Sequence, residues 1–438
     1  MKSRNRNLNV LMNGMMVGRL EKTATGGLIF TYDQQWLSTP GARPISLSLP
    51  LVTEQFTGDI VYNFFDNLLP DNPQVRSRIQ ARFHVPTDQP FDLLASIGRD
   101  CAGAIQILDS ETPPPANKMS FRSLTEKEIA STLGNIQNFP LGMKNDNTHE
   151  FRISIAGAQE KSAFLYWDNG WNEPLASTPT THIFKLPIGY IQHQQIDLSD
   201  SCENEWLCAQ LAEAFELPTA KCEIKYFENV KTLIVERFDR KLSSSGNMLL
   251  RLPQEDMCQA LGISPNLKYQ ADGGPGIENI MRLLLGSDDP IQDRDIFFSS
   301  QVLFWLLAAI DGHAKNFSIQ ISAGGRYRLT PLYDIMSAYP LIANKQLQAK
   351  KIKMAMALKG KNNHYLWNDI HRRHFISMAK IANYSEQRAS VIIDTMLEKV
   401  DSVIEQVQQK LPPQFPSKIY KPIFDGMQKA KNKLLNSL

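Results

Sequence analysis

Residues 297–310 are strongly apolar, and the run stops abruptly at Asp311-Gly312-His313-Ala314-Lys315-Asn316. An apolar segment of this length reads as a buried helix, so the polar hexapeptide behind it emerges at a helix-to-loop junction on a rigid support. Phe317-Ser318-Ile319-Gln320-Ile321, Gly324-Gly325 and Tyr327-Arg328-Leu329 then read as a hairpin. A hairpin folds the chain back, which returns Tyr333-Asp334 towards Asn316. The spacing is that of phosphoryl-transfer sites: a base Asp, an Asn five residues on that holds Mg²⁺, and a second Asp downstream that holds the ions on the phosphates. Mg²⁺ takes oxygen ligands and few protein groups, so Asp311 as base with Asn316 and Asp334 as ligands is a sufficient set. The pattern alone is cheap, because Asp and Asn also cap helices and build turns.

A chain of 438 residues predicts two to three domains or one large two-lobed body. With 42% hydrophobic and 21% charged residues it is ordinary for a folded protein, and no run approaches the ~20 apolar residues of a membrane span. Met1-Lys2-Ser3-Arg4-Asn5-Arg6 carries charge with no apolar stretch behind it, so the expectation is a cytoplasmic protein with no membrane partner. The five cysteines contain no C-x-x-C pair and point to buried thiols, with neither a disulfide framework nor a zinc site. His371 and His374 stand three apart without an acidic or Cys companion, which is poor for a metal. Net charge is only +2, yet residues 341–438 hold 17 Lys and Arg against 7 Asp and Glu, leaving 30 against 38 elsewhere. That asymmetry hints at a polyanion or an acidic partner, although a solvated helical face is the commoner cause.

The chain opens as β structure. Leu8 to Met12 and Met15 to Leu20 flank Asn13-Gly14, which suits a type I′ hairpin turn, and residues 27–32 supply a third strand. A helical pattern over 62–83 is broken by Pro70-Asp71-Asn72-Pro73. Residues 110–117, with three consecutive prolines, form a linker, and 144–150 a second polar loop. Strand, turn and strand follow at 152–155, 156–160 and 161–167. The small residues Ala156, Gly157 and Ala158 let backbone N–H groups approach phosphate oxygens, although a plain Gly turn fits equally and the loop is not a Walker A motif. Lys185 sits in an apolar strand where a phosphate would balance its charge, unless it snorkels out at the strand end. Glu205, on a helix with Leu207, Leu211, Ala214 and Phe215 at helical spacing, is a candidate partner, with Glu203 and Glu213 as rivals. Residues 232–240 read as a strand running into a hinge. Glycine loop, lysine, helix glutamate, hinge, Asp/Asn loop and second Asp come in the order found in protein kinases. Beyond residue 246 the chain is mainly helical, with no internal repeat.

The motifs Phe151-Arg152-Ile153-Ser154-Ile155-Ala156-Gly157-Ala158-Gln159-Glu160-Lys161, Lys185-Leu186-Pro187, Val235-Glu236-Arg237-Phe238-Asp239-Arg240, Arg251-Leu252-Pro253-Gln254-Glu255-Asp256-Met257 and Asp311 to Phe317 together resemble the HipA family of bacterial serine/threonine kinases, the toxins of HipA–HipB toxin–antitoxin pairs. Phe64-Phe65-Asp66-Asn67-Leu68-Leu69-Pro70 resembles the family's N-terminal region, so the likeness spans nearly the whole chain. It implies an α+β, two-lobed protein-kinase-like fold related to phosphoinositide kinases: a β-rich module over 1–110, a kinase N-lobe over 151–250 and a helical C-lobe over 251–438. It implies ATP and Mg²⁺ as cofactors and Asp311 as base, with Asn316 and Asp334 as Mg²⁺ ligands. The nucleotide would be held by Ile155, Ala156, Gly157, Ala158, Gln159, Glu160, Lys161 and Lys185, by Glu236, Arg237 and Phe238 at the hinge, by Asp239 at the ribose, and by Gln254 and His313.

The resemblance further implies autophosphorylation of Ser154, whose dianionic product would repel ATP phosphates and inactivate the enzyme. Glutamyl-tRNA synthetase would be the protein substrate, with loss of translation, growth arrest and multidrug tolerance as the outcome. A small helix-turn-helix HipB-like antitoxin dimer would join the chain to operator DNA, making it a corepressor. Lys380, with Lys350, Lys351 and Lys353, would reach DNA phosphates, while Asn383 stands where a further basic residue is expected. Two other classes stay open on the residues: a catalytically silent nucleotide-binding corepressor scaffold, and a small-molecule kinase of the aminoglycoside phosphotransferase type.

Overall fold

The computed structural model describes residues 6–109, 119–138 and 161–436. Ser154, Ile155, Ala156, Gly157, Ala158, Gln159 and Glu160, the expected strand at 152–155, and the connections at 110–117 and 144–150 lie outside the described residues. The chain forms two compact units built from interleaved segments. The first comprises residues 1–186, 225–266 and 318–327, and the second 187–224, 267–317 and 328–438.

In the first unit, five antiparallel strands stand in the order Phe56–Thr57, Leu28–Tyr32, Met15–Lys22, Arg6–Met12, Ile105–Asp109. The hairpin forms where Asn13-Gly14 predicts it, with φ of 49° and 79° at the two turn residues. Alternate side chains Leu8, Val10, Leu20 and Phe30 point into one core and meet Phe64 and Phe65 of the helix Asp59–Asp66. The expected helical stretch is two helices, Asp59–Asp66 and Pro73–Phe83, the second started by Pro73 and capped by the Asn72 side chain on the Gln74 N–H at 2.8 Å.

A six-stranded sheet follows, in the order Cys222–Phe227, Val230–Glu236, His182–Lys185, Lys161–Trp167, Gly170–Pro174, Phe121–Ser123. Ile129 and Leu133 of the helix Glu126–Asn138 close its core over Phe164, Phe184, Phe227 and Ile234.

A buried ionic cluster joins these two sheets. Asp100, beyond the end of the helix Pro90–Ile97, accepts from Arg240 at 2.9 Å, Arg251 at 2.9 Å, Arg237 at 3.3 Å and the Thr180 hydroxyl at 2.7 Å. Asp239 accepts from Arg237 at 3.0 and 2.7 Å and from the Gly103 N–H at 2.7 Å. Remaining guanidinium protons go to the carbonyls of Cys101, Gly103, Ser177 and Thr180. Burial opposes the ionised form of Asp100, but Arg240, Arg251 and Arg237 outweigh it and hold the carboxyl well below its ordinary range. Burial, reinforced by the Arg237 charge, pushes Arg240 down to about 10. Charges taken out of water at this cost persist only when each is paired and hydrogen-bonded.

The second unit is built around the helix Pro290–Leu306, which is buried on most sides by Phe297, Phe298, Val302, Leu303, Phe304 and Trp305 and packs on the helices Glu386–Gln409 and Ser417–Leu435. It ends earlier than the apolar run does. Ala308 takes φ +46°, its N–H bonds the Trp305 carbonyl at 3.1 Å, and the Ala309 N–H bonds the Phe304 carbonyl at 2.7 Å. These paired bonds are a Schellman stop, with alanine where glycine is usual and a strain of about 1–2 kcal/mol. Trp305 and Trp367 stack at 5.7 Å and exchange indole N–H bonds to each other's carbonyls at 3.1 and 2.8 Å, with the Lys433 ammonium over both rings. His364 and His374 stack face to face at 3.9 Å, and His374 Nδ1 accepts the His371 N–H at 3.1 Å.

Removing Asp100 leaves Arg237 and Arg240 sharing the Asp239 carboxylate and takes from Arg251 its carboxylate partner. Asp100→Ala is expected to lower unfolding free energy by about 3–5 kcal/mol, read as a shift in denaturant midpoint, and a loss under about 1 kcal/mol contradicts the assignment. Burial, then the charges of His364 and Arg373, lower the His374 imidazole to about 4. The unfolded chain, near 6.5, takes up that proton first, so His374 stabilises fully above about pH 6.5 and loses its contribution as pH falls towards 4. Denaturant midpoints at pH 7 and pH 5 should differ in that sense, and His374→Asn should shrink the difference.

Candidate active site

The first unit carries the residues expected around the nucleotide. Lys185 ends the strand His182–Lys185, pairs in register with Leu233 and Lys161, and is buried to 4% exposure. Its carbonyl takes the Thr232 hydroxyl at 3.1 Å. Glu236 ends its strand in an exposed position, and Phe238 is half-buried in the connection that follows. The side chains of Arg237 and Asp239 turn inward to the ionic cluster. Both Asp239 oxygens are engaged there, so this carboxylate, expected from the resemblance at a ribose, is buried within the ionic cluster of the first unit. Arg237 is likewise committed to Asp100, Asp239, Thr180 and the Cys101 carbonyl.

Gln254, half-buried, pairs with Gln320 in a short antiparallel ladder. Gly103, at φ +71°, lies so close to it that a Cβ there would stand 2.5 Å from the Gln254 carbonyl oxygen. Its neighbour Glu255 accepts the Leu47 N–H at 2.8 Å, and burial pushes that carboxyl up to about 8 against this bond.

The second unit carries the expected chemical machinery. Asp311 is exposed, while His313, Lys315 and Asn316 behind it are buried. The loop closes on itself: the His313 N–H reaches the Asp311 carbonyl at 2.8 Å and the Asn316 Oδ1 at 3.2 Å, turning Ala314–Asn316 into a single 3₁₀ turn. Gly312 is required by packing, since a Cβ would meet the Phe304 ring at 2.3 Å. The chain then returns as expected through the strands Ser318–Ile321 and Tyr327–Leu329. On return, the Tyr333 hydroxyl donates to the Lys315 carbonyl at 2.9 Å, which ties the segment containing Asp334 to the Asp311–Asn316 loop. Asp334 holds φ +57°, a conformation Asp tolerates better than most residues.

Further bonds fix this return. The Ser337 hydroxyl donates to the Leu307 carbonyl at 2.6 Å and the Ala338 N–H to the Ala308 carbonyl at 3.0 Å. Asn204 exchanges two bonds of 2.8 Å with the Ser337 backbone, so the helix Ser201–Ala214 carrying Glu205 is pinned three residues after Asp334. Glu203 and Glu205 are both buried. Sequence reasoning missed Asn204, Ser337 and Tyr269, whose hydroxyl donates to Asp311 Oδ1 at 2.6 Å. The Gly273-Gly274-Pro275-Gly276 run behind Tyr269 is the signal that a tightly turned segment lies there.

Asn316 and Asp334 offer an amide oxygen and a carboxylate on two segments tied together by the Tyr333 bond, a donor set suited to Mg²⁺, which keeps waters and substrate phosphates as its other ligands. The exposed Asp311 carboxylate is suited to accept a proton. Lys380 is 75% exposed, with Glu386 at 4.0 Å, and Lys350, Lys351 and Lys353 are exposed as well. Asn383 has φ +52°, which explains Asn at this position, and its carbonyl is held by Arg294 at 2.9 Å. No helix among the described residues is long and apolar enough to cross a membrane.

Comparison with known proteins identifies the relatives of this chain. The family described as HipA-like C-terminal domain matches residues 153–404, and the HipA N-terminal domain family matches residues 8–108. The putative kinase Y4mE of Sinorhizobium fredii (strain NBRC 101917 / NGR234) is 32% identical over 357 residues, covering 80% of this chain and 82% of the relative. The serine/threonine-protein kinase toxin HipA of Shewanella oneidensis is 26% identical over 342 residues, 75% of each chain. A solved structure of the Shewanella oneidensis MR-1 toxin–antitoxin system, HipA with HipB and its operator DNA, superposes with a TM-score of 0.80 at 21% identity over 98% of this chain and 97% of that one. That likeness establishes the α+β, protein-kinase-like fold. With both domains matched in order and more than half of the chain inside the C-terminal one, the protein belongs to the HipA family of serine/threonine-protein kinase toxins.

Proposed function

We propose that this kinase transfers the γ-phosphoryl group of ATP to a serine or threonine hydroxyl of glutamyl-tRNA synthetase, halts translation and growth, and silences itself by phosphorylating Ser154. The observation that supports the chemistry best is the Tyr333 to Lys315 bond, which gathers the Asp334 segment onto the Asp311–Asn316 loop. In the reaction the acceptor oxygen attacks the γ-phosphorus, its proton passes to the Asp311 carboxylate, and the bond to the β-phosphate oxygen breaks to release ADP. Asn316 and Asp334 would hold Mg²⁺, which when bound would neutralise charge on the phosphate oxygens. Lys185 brings a cation to the nucleotide from the sheet, and His313 and Gln254 lie beside the nucleotide. The adenine is read by the backbone at Glu236 and Phe238.

Two further roles extend the proposal. A HipB-like helix-turn-helix dimer recruits the chain to operator DNA as corepressor, by analogy with the assembly named for the Shewanella oneidensis protein. The exposed Lys380, Lys350, Lys351 and Lys353 suit phosphate contacts in such a complex.

Incubation of the purified chain with γ-labelled ATP and whole-cell lysate tests the reading. The expected result is one dominant labelled protein, identified as glutamyl-tRNA synthetase, with label on Ser154 of the kinase. Asp311→Gln should cut transfer by about 10²–10⁴-fold while nucleotide binding persists. Undiminished labelling by that variant removes Asp311 as base, and tight ATP binding by the parent without any transfer points to a catalytically silent scaffold.

A further inference from the structure

A phenol stands on the base. Tyr269 donates its O–H to Asp311 Oδ1 at 2.6 Å, the short distance of a hydroxyl bonded to a carboxylate. We infer that Tyr269 is a positioning residue for phosphoryl transfer, holding one oxygen of Asp311 so that the other is presented to the acceptor hydroxyl. The inference rests on Asp311 being the base.

One hydrogen bond to an exposed carboxylate would mean little if the tyrosine were loosely held. Tyr269 is held from several sides. Its ring meets the His313 ring edge-on, centroids 4.9 Å apart at 84°, so the same residue touches the base and the loop position two residues after it. The Lys268 carbonyl accepts the Ala314 N–H at 3.2 Å, which stitches the residue before Tyr269 to the Asp311–Asn316 loop. Gln270, the residue after it, accepts the Ala357 N–H at 2.7 Å, and the Ala355 N–H donates to the Ile310 carbonyl at 3.0 Å. One strand, Lys353–Lys359, therefore braces both the tyrosine segment and the start of the loop.

The segment is also closed upon itself. The Gly274 N–H returns to the Tyr269 carbonyl at 3.0 Å, and a Cβ at Gly274 would lie 1.7 Å from the Leu267 carbonyl oxygen. At Gly276 a Cβ would fall 2.4 Å from the Gln270 side chain. The two glycines let the chain wrap tightly enough to hold the phenol over Asp311.

A carboxylate rotates about its Cβ–Cγ bond, and at a loop tip only hydrogen bonds stop it. A phenol donor on Oδ1 fixes that plane. The proton of the acceptor hydroxyl then passes to Oδ2, the new P–O bond forms as the bond to ADP breaks, and the Tyr269 proton stays where it is. Fixing the base in this way acts on the chemical step and not on nucleotide affinity.

Tyr269→Phe keeps the ring against His313 and removes only the donor. Label transfer from γ-labelled ATP to lysate protein, with ATP varied at fixed lysate, should show a maximal rate lowered by about 10–100-fold. Half-saturating ATP, binding of a non-hydrolysable ATP analogue and the melting temperature should stay at parental values. A maximal rate equal to or above the parent's overturns the inference and leaves the kinase reading untouched. A fall in rate matched by weaker analogue binding or a lower melting temperature makes Tyr269 structural, and also overturns it. Absence of transfer by the parent strikes the kinase reading itself, and this inference with it.

Discussion

The strap from Tyr333 to Ala338 is what ties separate pieces of the second unit together. It bonds to Lys315, Leu307 and Ala308 on one side and to Asn204 on the other. Each of those partners is positioned by something buried. Leu307 and Ala308 form the strained stop of the helix Pro290–Leu306, and Asn204 lies in the buried first turn of the helix carrying Glu205. The Ala308 conformation, at about 1–2 kcal/mol of strain, turns the chain out of the helix in time for Asp311 to reach solvent while His313 and Asn316 stay inside. Strain stored next to a reactive loop is common where packing over-determines it, and here Phe304 against Gly312 supplies that packing.

In the first unit the comparable constraint is the ionic cluster. Asp100 belongs to the segment matching the HipA N-terminal domain, whereas Arg237, Asp239, Arg240 and Arg251 belong to the segment matching the C-terminal domain. Their shared burial welds the five-stranded sheet to the connection after the strand Val230–Glu236. A motif that in sequence looks like a hinge aimed at a nucleotide is, by the side chains of Arg237, Asp239 and Arg240, a structural clamp.

Much of this was legible in the sequence because the signals were local. Asn13-Gly14 demanded its turn, Pro70-Asp71-Asn72-Pro73 its break between helices, and the apolar run ending at Asp311 its buried helix. The fold-back after Asn316 followed from a hairpin pattern that the strands Ser318–Ile321 and Tyr327–Leu329 realise. What was not legible is long-range or disguised. Nothing near Asp239 indicates that its partners include Arg240 beside it and the Gly103 N–H more than a hundred residues away. Ala308 hides a helix stop that glycine would have announced. Tyr269 lies 42 residues before the aspartate it touches, and only the folding of its glycine-rich segment brings the two together.

In the proposed division of labour Asn316 and Asp334 form one metal site while Asp311, five residues before Asn316, does different work. Electron paramagnetic resonance of Mn²⁺, titrated into the full chain with a non-hydrolysable ATP analogue, tests it without requiring turnover. The account predicts that Asp334→Ala and Asn316→Ala each weaken Mn²⁺ binding severely, whereas Asp311→Asn leaves it near the parental value. Undiminished Mn²⁺ affinity in Asp334→Ala, or its loss in Asp311→Asn, would contradict that division of labour.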